Sequence, residues 1–298
     1  MMSKKNLKQK LAEGVLFLDG AMGTQLMARG VQAGKCNEML NIESPKIVLD
    51  IHRSYFDAGS DAVYTNTFGG NEISLARHGL ADKLAQINQA AVKIAKQAAG
   101  NDKYVIGDMG PSGEFLKPLG SLEPEILKNA YVKQAKALCE TGVDGFVIET
   151  FMSLDEAKVV TQTVKSVCSL PVFVSFAFDA AGSDFKTMMG AGPEAIVSEL
   201  SLLGVDAIGF NCGMLKMEQY LQLTRKFAKL LAGKNIAFLA KPNGGKPELI
   251  DGRAVYKLLP QNFAEYADKI HKAGASLIGG CCGTGPEHIK AMTEKVKR

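Results

Sequence analysis

No stretch of this sequence reaches the roughly 18 consecutive apolar residues of a membrane-spanning helix, so no membrane partner is expected. The opening "MMSKKNLKQKL" is charged and has no apolar segment behind it, which excludes the pattern of a secretory leader. A large excess of charge of one sign is lacking. The 35 basic and 31 acidic residues leave +4, and no basic run interleaves with aromatics, so nucleic acid is not an expected partner. Histidines number only four. His52, His78 and His271 fall on helical segments or their ends. His288 falls in the first turn after Pro286, where solvent is its expected surrounding. The glycine-rich turn of dinucleotide-binding sheets is missing, since "DGAMGTQL" does not fit GxGxxG. Linkers rich in Pro, Gly or Ser are also missing, so residues 1–298 read as one domain. Six cysteines without a secretory leader imply reduced thiols and a cytoplasmic location.

What is present is a set of short β-rich runs. They are "GVLFLDG" (14–20), "DAVYTNTF" (61–68), "YVIGDMG" (104–110), "DGFVIET" (144–150), "PVFVSFAFD" (171–179), "DAIGFNC" (206–212), "IAFLAKPN" (236–243) and "SLIGGCC" (276–282). Their cores are almost wholly apolar rather than alternating, as befits strands buried on both faces of a parallel sheet. Segments of helical period lie between them. "SPKIVLDIHRSYFDAG" puts Ile47, Ile51, Tyr55 and Phe56 on one stripe, with Ser44 as N-cap and Pro45 at the first helical position. "EILKNAYVKQAKALCETG" and "NFAEYADKIHKAG" behave alike. Four helices end on a related phrase, "AGSDA", "TGVDG", "LGVDA" or "AGASL", whose glycine supplies a left-handed stop. Eight βα units predict an α/β fold of the (β/α)8 barrel type, with Lys5–Glu13 as a helix closing its bottom.

Chemistry in such barrels sits at the C-terminal ends of the strands. Those ends carry Asp19; Asn66 and Thr67; Glu149; Asn211 and Cys212; Asn243; and Cys281 and Cys282. An isolated Cys-Cys pair ordinarily splits, one thiol in the core and one toward a helix, because consecutive strand residues face opposite ways. Gly279, Gly280 and Gly283 would let the backbone bend so that both reach one point. With Cys212 on the same rim, three thiolates converge. That is the donor set of a zinc site with an open fourth position. Such a soft, anionic centre polarises a carbonyl poorly but holds a substrate thiol as thiolate, which points to alkyl transfer to sulfur. Asp19 and Glu149 follow apolar runs and suit a substrate ammonium group; for Asp19, capping of the next loop is an equally simple role. Cys139 and Cys168 read as structural. Cys36 reads as packing, although its loop after the first strand could reach the site.

The phrases "LDGAMGTQL", "CNEMLNIESP", "IHRSYFDAGSDAVYTNTFGGN", "GPSGEFLKPLG", "GFVIETF", "GFNC", "KPNGG" and "GGCCGTGPEHI" resemble the homocysteine S-methyltransferase family over nearly the whole chain. "KPLG" and "CNEMLN" favour its cobalamin-dependent methionine synthase branch. The resemblance implies a zinc ion held by Cys212, Cys281 and Cys282, with homocysteine thiolate as fourth ligand. It implies that Asp19 and Glu149 hold the amino group, that backbone N–H groups at Gly20 and Ala21 hold the carboxylate, and that Asn211 and the "TNTFGG" loop shape the pocket. Two features depart from the family pattern: Lys241 stands where Gln is usual, and "MMGAGPE" (188–194) replaces a more polar phrase. Both are expected to touch donor or partner contacts.

The expected reaction is methyl transfer to L-homocysteine, giving methionine. The sequence has no Asp-x-His-x-x-Gly corrinoid-binding phrase. Asp50 and His52 come nearest, but position 55 is Tyr. A methylcobalamin donor would therefore ride on a separate corrinoid protein or on corrinoid and folate domains. Donation from S-methylmethionine or betaine is the alternative. Two remoter readings are a phosphate-binding barrel using "GGCCGTGPEH" as its cradle and a zinc- or thiol-binding subunit without turnover.

Overall fold

The computed structural model describes residues 4–32, 34–250 and 253–297. Eight strands form its centre: β1 (Leu16–Phe17), β2 (Ala62–Tyr64), β3 (Tyr104–Met109), β4 (Gly145–Phe151), β5 (Val172–Phe176), β6 (Ala207–Asn211), β7 (Ala237–Lys241) and β8 (Leu277–Ile278). All pair in parallel, in the order β1–β8–β7–β6–β5–β4–β3–β2. The remaining seam, β1 to β2, closes through single bonds. Asp61 N–H donates to the Phe17 carbonyl at 2.7 Å, and Phe17 N–H to the Asp61 carboxylate at 3.1 Å. Tyr64 N–H donates to Asp19 Oδ2 at 2.7 Å. The expected (β/α)8 barrel is therefore present as a single domain.

The apolar runs are explained by burial on both sides. Leu16, Ile106, Val147, Phe173, Leu239 and Leu277 point inward and fill the barrel. Their neighbours Phe17, Val105, Phe146, Val174, Phe238 and Ile278 point outward against the helices. The strands are shorter than the runs because the last residues of each run leave the ladder to build the rim. The fifth run overshoots most: Asp179 belongs not to β5 but to a small hairpin, Asp179–Ala181 with Asp184–Lys186.

At the bottom lies α1 (Leu7–Leu11), within the expected Lys5–Glu13 segment. Asn6 Oδ1 caps it by accepting from Gln9 N–H at 2.9 Å, and Leu7 plugs the barrel interior. The outer ring is α2 (Pro45–Asp57), α3 (Leu84–Ala99), α4 (Pro124–Thr141), α5 (Leu154–Val167), α6 (Pro193–Leu202), α7 (Met217–Leu231), α8 (Pro260–Lys272) and α9 (Pro286–Val296). In α2, Ser44 and Pro45 take the expected positions, but the Ser44 side chain makes no capping bond. The buried face is Val48, Ile51, His52 and Tyr55, turned slightly from the expected stripe.

The phrase that ends four helices does two jobs. Its glycines Gly59, Gly142, Gly204 and Gly274 have φ of 100°, 91°, 64° and 123°, as a left-handed stop requires. In three of the phrases the following Asp reaches sideways to the neighbouring strand. Asp61, Asp144 and Asp206 accept from Phe17, Val105 and Val172 N–H at 3.1, 2.8 and 2.9 Å. The repeat thus stitches β2 to β1, β4 to β3 and β6 to β5 at the barrel bottom.

Two cysteines and one histidine correct the sequence reading. Cys139, near the end of α4, and Cys168, just after α5, are joined by a disulfide, so the expectation of reduced thiols fails for this pair. The two helices are neighbours, and their C-terminal ends bring the thiols together from 29 residues apart. His288 is buried rather than solvated. Its Nδ1 accepts from Gly285 N–H at 3.2 Å, and its Nε2–H donates to the Leu258 carbonyl at 2.9 Å. The segment entering α8 folds over the first turn of α9 and covers it.

Candidate metal centre and substrate pocket

β6 stops at Asn211, and Cys212 follows in a left-handed conformation, φ 54°. That region is uncommon for a residue with a side chain and costs about 1–3 kcal/mol, so the surroundings must impose it. They do so by fixing the backbone on both sides. Cys212 N–H donates to the Lys241 carbonyl at 3.3 Å, Tyr220 Oη–H donates to the Cys212 carbonyl, and Asn243 Nδ2 donates to the Gly213 carbonyl at 2.8 Å. Cys281 and Cys282 lie three and four residues beyond Ile278, in a turn and not in the strand. Cys281 N–H donates to the Pro242 carbonyl at 2.8 Å, and Thr284 N–H closes the turn onto the Cys281 carbonyl at 3.1 Å. Gly283 turns the chain at φ 77°, where any Cβ would run into the Tyr256 ring. The strand rule that separates adjacent side chains does not apply in a turn, so both thiols face the same point.

The three sulfurs lie within 4.8 Å of one another, and Cys212 Sγ is 3.9 Å from Cys282 Sγ. Sulfurs bound tetrahedrally at about 2.3 Å stand about 3.8 Å apart, so this cluster has the size of a metal site. Its electrostatics agree. Hydrogen bonds from Cys212 and Cys281 hold the Cys282 thiol down at about 3. Cys212 is pushed well up by hydrogen bonding to its two neighbours, and Cys281 stands at about 12. Without a cation the cluster carries one thiolate; three thiolates together require a cation among them.

The cluster opens into a cavity of about 1020 Å³ at the C-terminal mouth of the barrel. Asp19, Gly20, Ala21, Glu149, Cys212, Cys281 and Cys282 all line it. Asn211 stands behind the wall as a bracket. Its Oδ1 accepts from Thr150 N–H and Ser175 Oγ–H, both at 2.8 Å, and its Nδ2 faces Glu149 Oε2 at 3.5 Å and Cys281 Sγ at 3.7 Å. Ala21 N–H makes a long bond, 3.3 Å, to the Thr284 carbonyl. Cys36 lies outside the cavity lining and donates to Glu38 Oε2 at 3.2 Å, in keeping with a packing role.

Lys241 and Asp108 are among the cavity residues that were not anticipated there. Lys241, expected in a donor-facing loop, is the last residue of β7 and is buried in the pocket. Its Nζ lies 2.7 Å from Asp19 Oδ1 and 3.6 Å from the centre of the Tyr64 ring. Burial works against its charge, and Asp19 with Glu149 more than offsets this, so the ammonium is held. Asp19 is raised by burial and opposed by Lys241. Glu149, likewise buried and with Lys241 opposing, stands at about 8. The other residue is Asp108, the inward-facing carboxylate of β3. Its place in "GDMG", at the end of an apolar run, is the same signal that marked Asp19 and Glu149.

Comparison with known proteins agrees with this geometry. The family model described as homocysteine S-methyltransferase matches residues 16–296. Methionine synthases of Mycobacterium leprae and Mycobacterium tuberculosis are each 35% identical over 98% of this chain. The chain spans about a quarter of their length, 25% in each case. Among solved structures, the homocysteine methyltransferase MmuM of Escherichia coli in its metallated form superposes with a TM-score of 0.79 at 23% identity, covering 97% of this chain and 99% of that one. A methyltransferase from Methanosarcina mazei shares the fold with a TM-score of 0.60 at 13% identity, over 96% of this chain and 94% of its own. With a cysteine cluster at the mouth of a barrel and a family match from the first strand to the last helix, the chain belongs to the homocysteine S-methyltransferase family.

Proposed function

We propose that this chain transfers a methyl group to the thiolate of L-homocysteine, giving methionine, with a zinc ion held by Cys212, Cys281 and Cys282. The observation that carries the reading is the convergence of three thiols, too crowded to ionise together alone, on the rim of the cavity at the C-terminal mouth of the barrel. The zinc ion, when bound, supplies a Lewis acid that keeps the substrate sulfur as thiolate at neutral pH. The residues of the chain do the rest. The acidic wall that includes Asp19 and Glu149 receives the amino group. The carboxylate falls to the turn at Gly20 and Ala21, where the Ala21 amide exchanges its long bond to Thr284 for the substrate. Asn211 holds Glu149 and Cys281 in register, so that ammonium and sulfur sites keep a fixed separation. A cytoplasmic, reducing setting suits the triad.

The donor is a methylated corrinoid carried by another protein or domain. Two features support this. Met27 and Phe68 are large apolar side chains left exposed at the cavity, and Phe115, Met188, Met214 and Leu249 are exposed on other segments that follow strand ends. The related methionine synthases are about four times as long as the matched region, which leaves length for donor modules there.

The test is metal content together with turnover. Purified protein should hold about one zinc per chain, and Cys212→Ser, Cys281→Ser and Cys282→Ser should each lose it along with methionine formation, because a neutral hydroxyl is a far weaker ligand. Full zinc and full activity in Cys281→Ser would sink the three-cysteine site.

A further inference from the structure

Two turns on one side of the cavity are joined from behind by a buried hydroxyl. The turn after β1 runs from Asp19 to Thr24. The turn after β8 holds Cys281 and Cys282 and ends at Thr284. Gly280 N–H donates to the Asp19 carbonyl at 3.0 Å, Ala21 N–H to the Thr284 carbonyl at 3.3 Å, and Gly283 N–H to Thr24 Oγ1 at 3.0 Å, so the turns are laced together. Thr284 in turn holds the Cys281 carbonyl, from its N–H at 3.1 Å and from its Oγ1–H at 2.7 Å. Tyr55, on α2, is fully buried behind them. Its Oη–H donates to the Ala21 carbonyl at 2.8 Å and lies 3.3 Å from the Thr284 carbonyl. Gly20 makes room for the hydroxyl: a Cβ there would stand 2.8 Å from Tyr55 Oη and 2.9 Å from Thr284 Oγ1.

A phenol buried only for packing needs one acceptor. This one has two, on the two turns that the proposed function assigns to substrate and metal. Tyr55 does not line the cavity, so it acts through the turns and not on the ligand. The Ala21 amide is the group that turns toward the substrate carboxylate, and its departure takes a donor from the Thr284 carbonyl. Thr284 is fully buried, and a buried acceptor left without a donor is costly. The Tyr55 hydroxyl already stands within reach of that carbonyl, so a rotation of its proton serves Thr284 as the amide leaves.

From this we infer that Tyr55 is a positioning residue for recognition of the substrate carboxylate: its hydroxyl passes from the Ala21 carbonyl toward the Thr284 carbonyl when the Ala21 amide takes the carboxylate. The first turn can then open to the ligand while the turn that carries Cys281 and Cys282 keeps its place. The inference rests on the α-amino thiol reading above and names the residue that lets its carboxylate site form.

The experiment compares two ligands on zinc-loaded protein by calorimetry: L-homocysteine, and 3-aminopropane-1-thiol, which keeps thiol and ammonium but lacks the carboxylate. Wild type should bind homocysteine more tightly. Tyr55→Phe should weaken homocysteine binding about tenfold, as for one buried acceptor left without a donor. It should leave binding of 3-aminopropane-1-thiol unchanged, with zinc content as in wild type. Gly20→Ala, whose Cβ would press on the same hydroxyl, should give the same pattern if the Phe variant does not fold. Undiminished homocysteine binding in Tyr55→Phe, or an equal loss for both ligands, would overturn the inference while leaving homocysteine as substrate. Equal affinity of the wild type for both ligands would remove the carboxylate site and the inference with it. Wild-type protein that binds zinc but neither ligand would overturn the α-amino thiol reading itself.

Discussion

Asp19 and Lys241 form a buried ion pair, both nearly inaccessible and 222 residues apart in sequence. Removing one partner of a buried ion pair leaves the other charge uncompensated and typically costs about 3–5 kcal/mol. Asp19→Asn should therefore lower stability to chemical denaturation by about that amount. Adding Lys241→Gln should restore most of it, since the orphaned ammonium is then gone. Equal stability of Asp19→Asn and wild type would show that the pair is not buried as described. Asp19 itself was legible as a carboxylate ending an apolar run. Its partner was not, because nothing local links Lys241 in the seventh run to Asp19 in the first, and only barrel closure brings β7 close to β1 across β8.

At the scale of elements, helix α2 carries an acid-sensitive group. His52 is fully buried, with neither ring nitrogen bonded among the described residues, and burial pushes it down from 6.5 to about 4. The folded state binds the proton less readily than the unfolded chain. Its contribution is therefore complete above the unfolded value near 6.5 and is lost as pH falls toward 4. At about 1.4 kcal/mol per pH unit this amounts to roughly 3 kcal/mol across the window. His52→Leu should flatten the pH dependence of stability between pH 6.5 and 4, measured by denaturant titration at several pH values. An unchanged slope would mean that His52 finds a partner or water in solution. The strands and helices around it were readable because strands buried on both faces leave unbroken apolar runs, and helices buried on one face leave a stripe. Less readable were the side-chain bonds made by Asp61, Asp144 and Asp206. The phrase repeats visibly, but the N–H each carboxylate accepts from belongs to another strand.

At the scale of the whole molecule, the proposed reaction needs a donor that delivers the methyl group. Exposed apolar side chains lie on segments that follow strand ends, and in the proposed function the cavity holds zinc and an amino acid. A donor therefore has to approach from above, in line with the bound sulfur. Purified protein given homocysteine should form methionine from a methylated corrinoid protein or from free methylcobalamin, and not appreciably from betaine or S-methylmethionine. Rapid turnover with either small donor, and none with the corrinoids, would move the chain to another branch of its family. Replacing Phe68 and Met214 together by Ser should slow transfer from the corrinoid protein more than from free methylcobalamin, if those side chains meet the carrier.

The sequence by itself determined the barrel, the rim positions of Cys212, Cys281 and Cys282, and the family. Each of these rests on local information: apolar runs, stop glycines and residues placed at the ends of strands. Tertiary structure alone decided how the charges pair. It gave Asp19 to Lys241, bonded Cys139 to Cys168, and buried His288. All of these are contacts between segments distant in the chain. A pairing of that kind depends on which strands become neighbours and how far each side chain reaches into the shared interior, and neither is written in the spacing of residues along the chain.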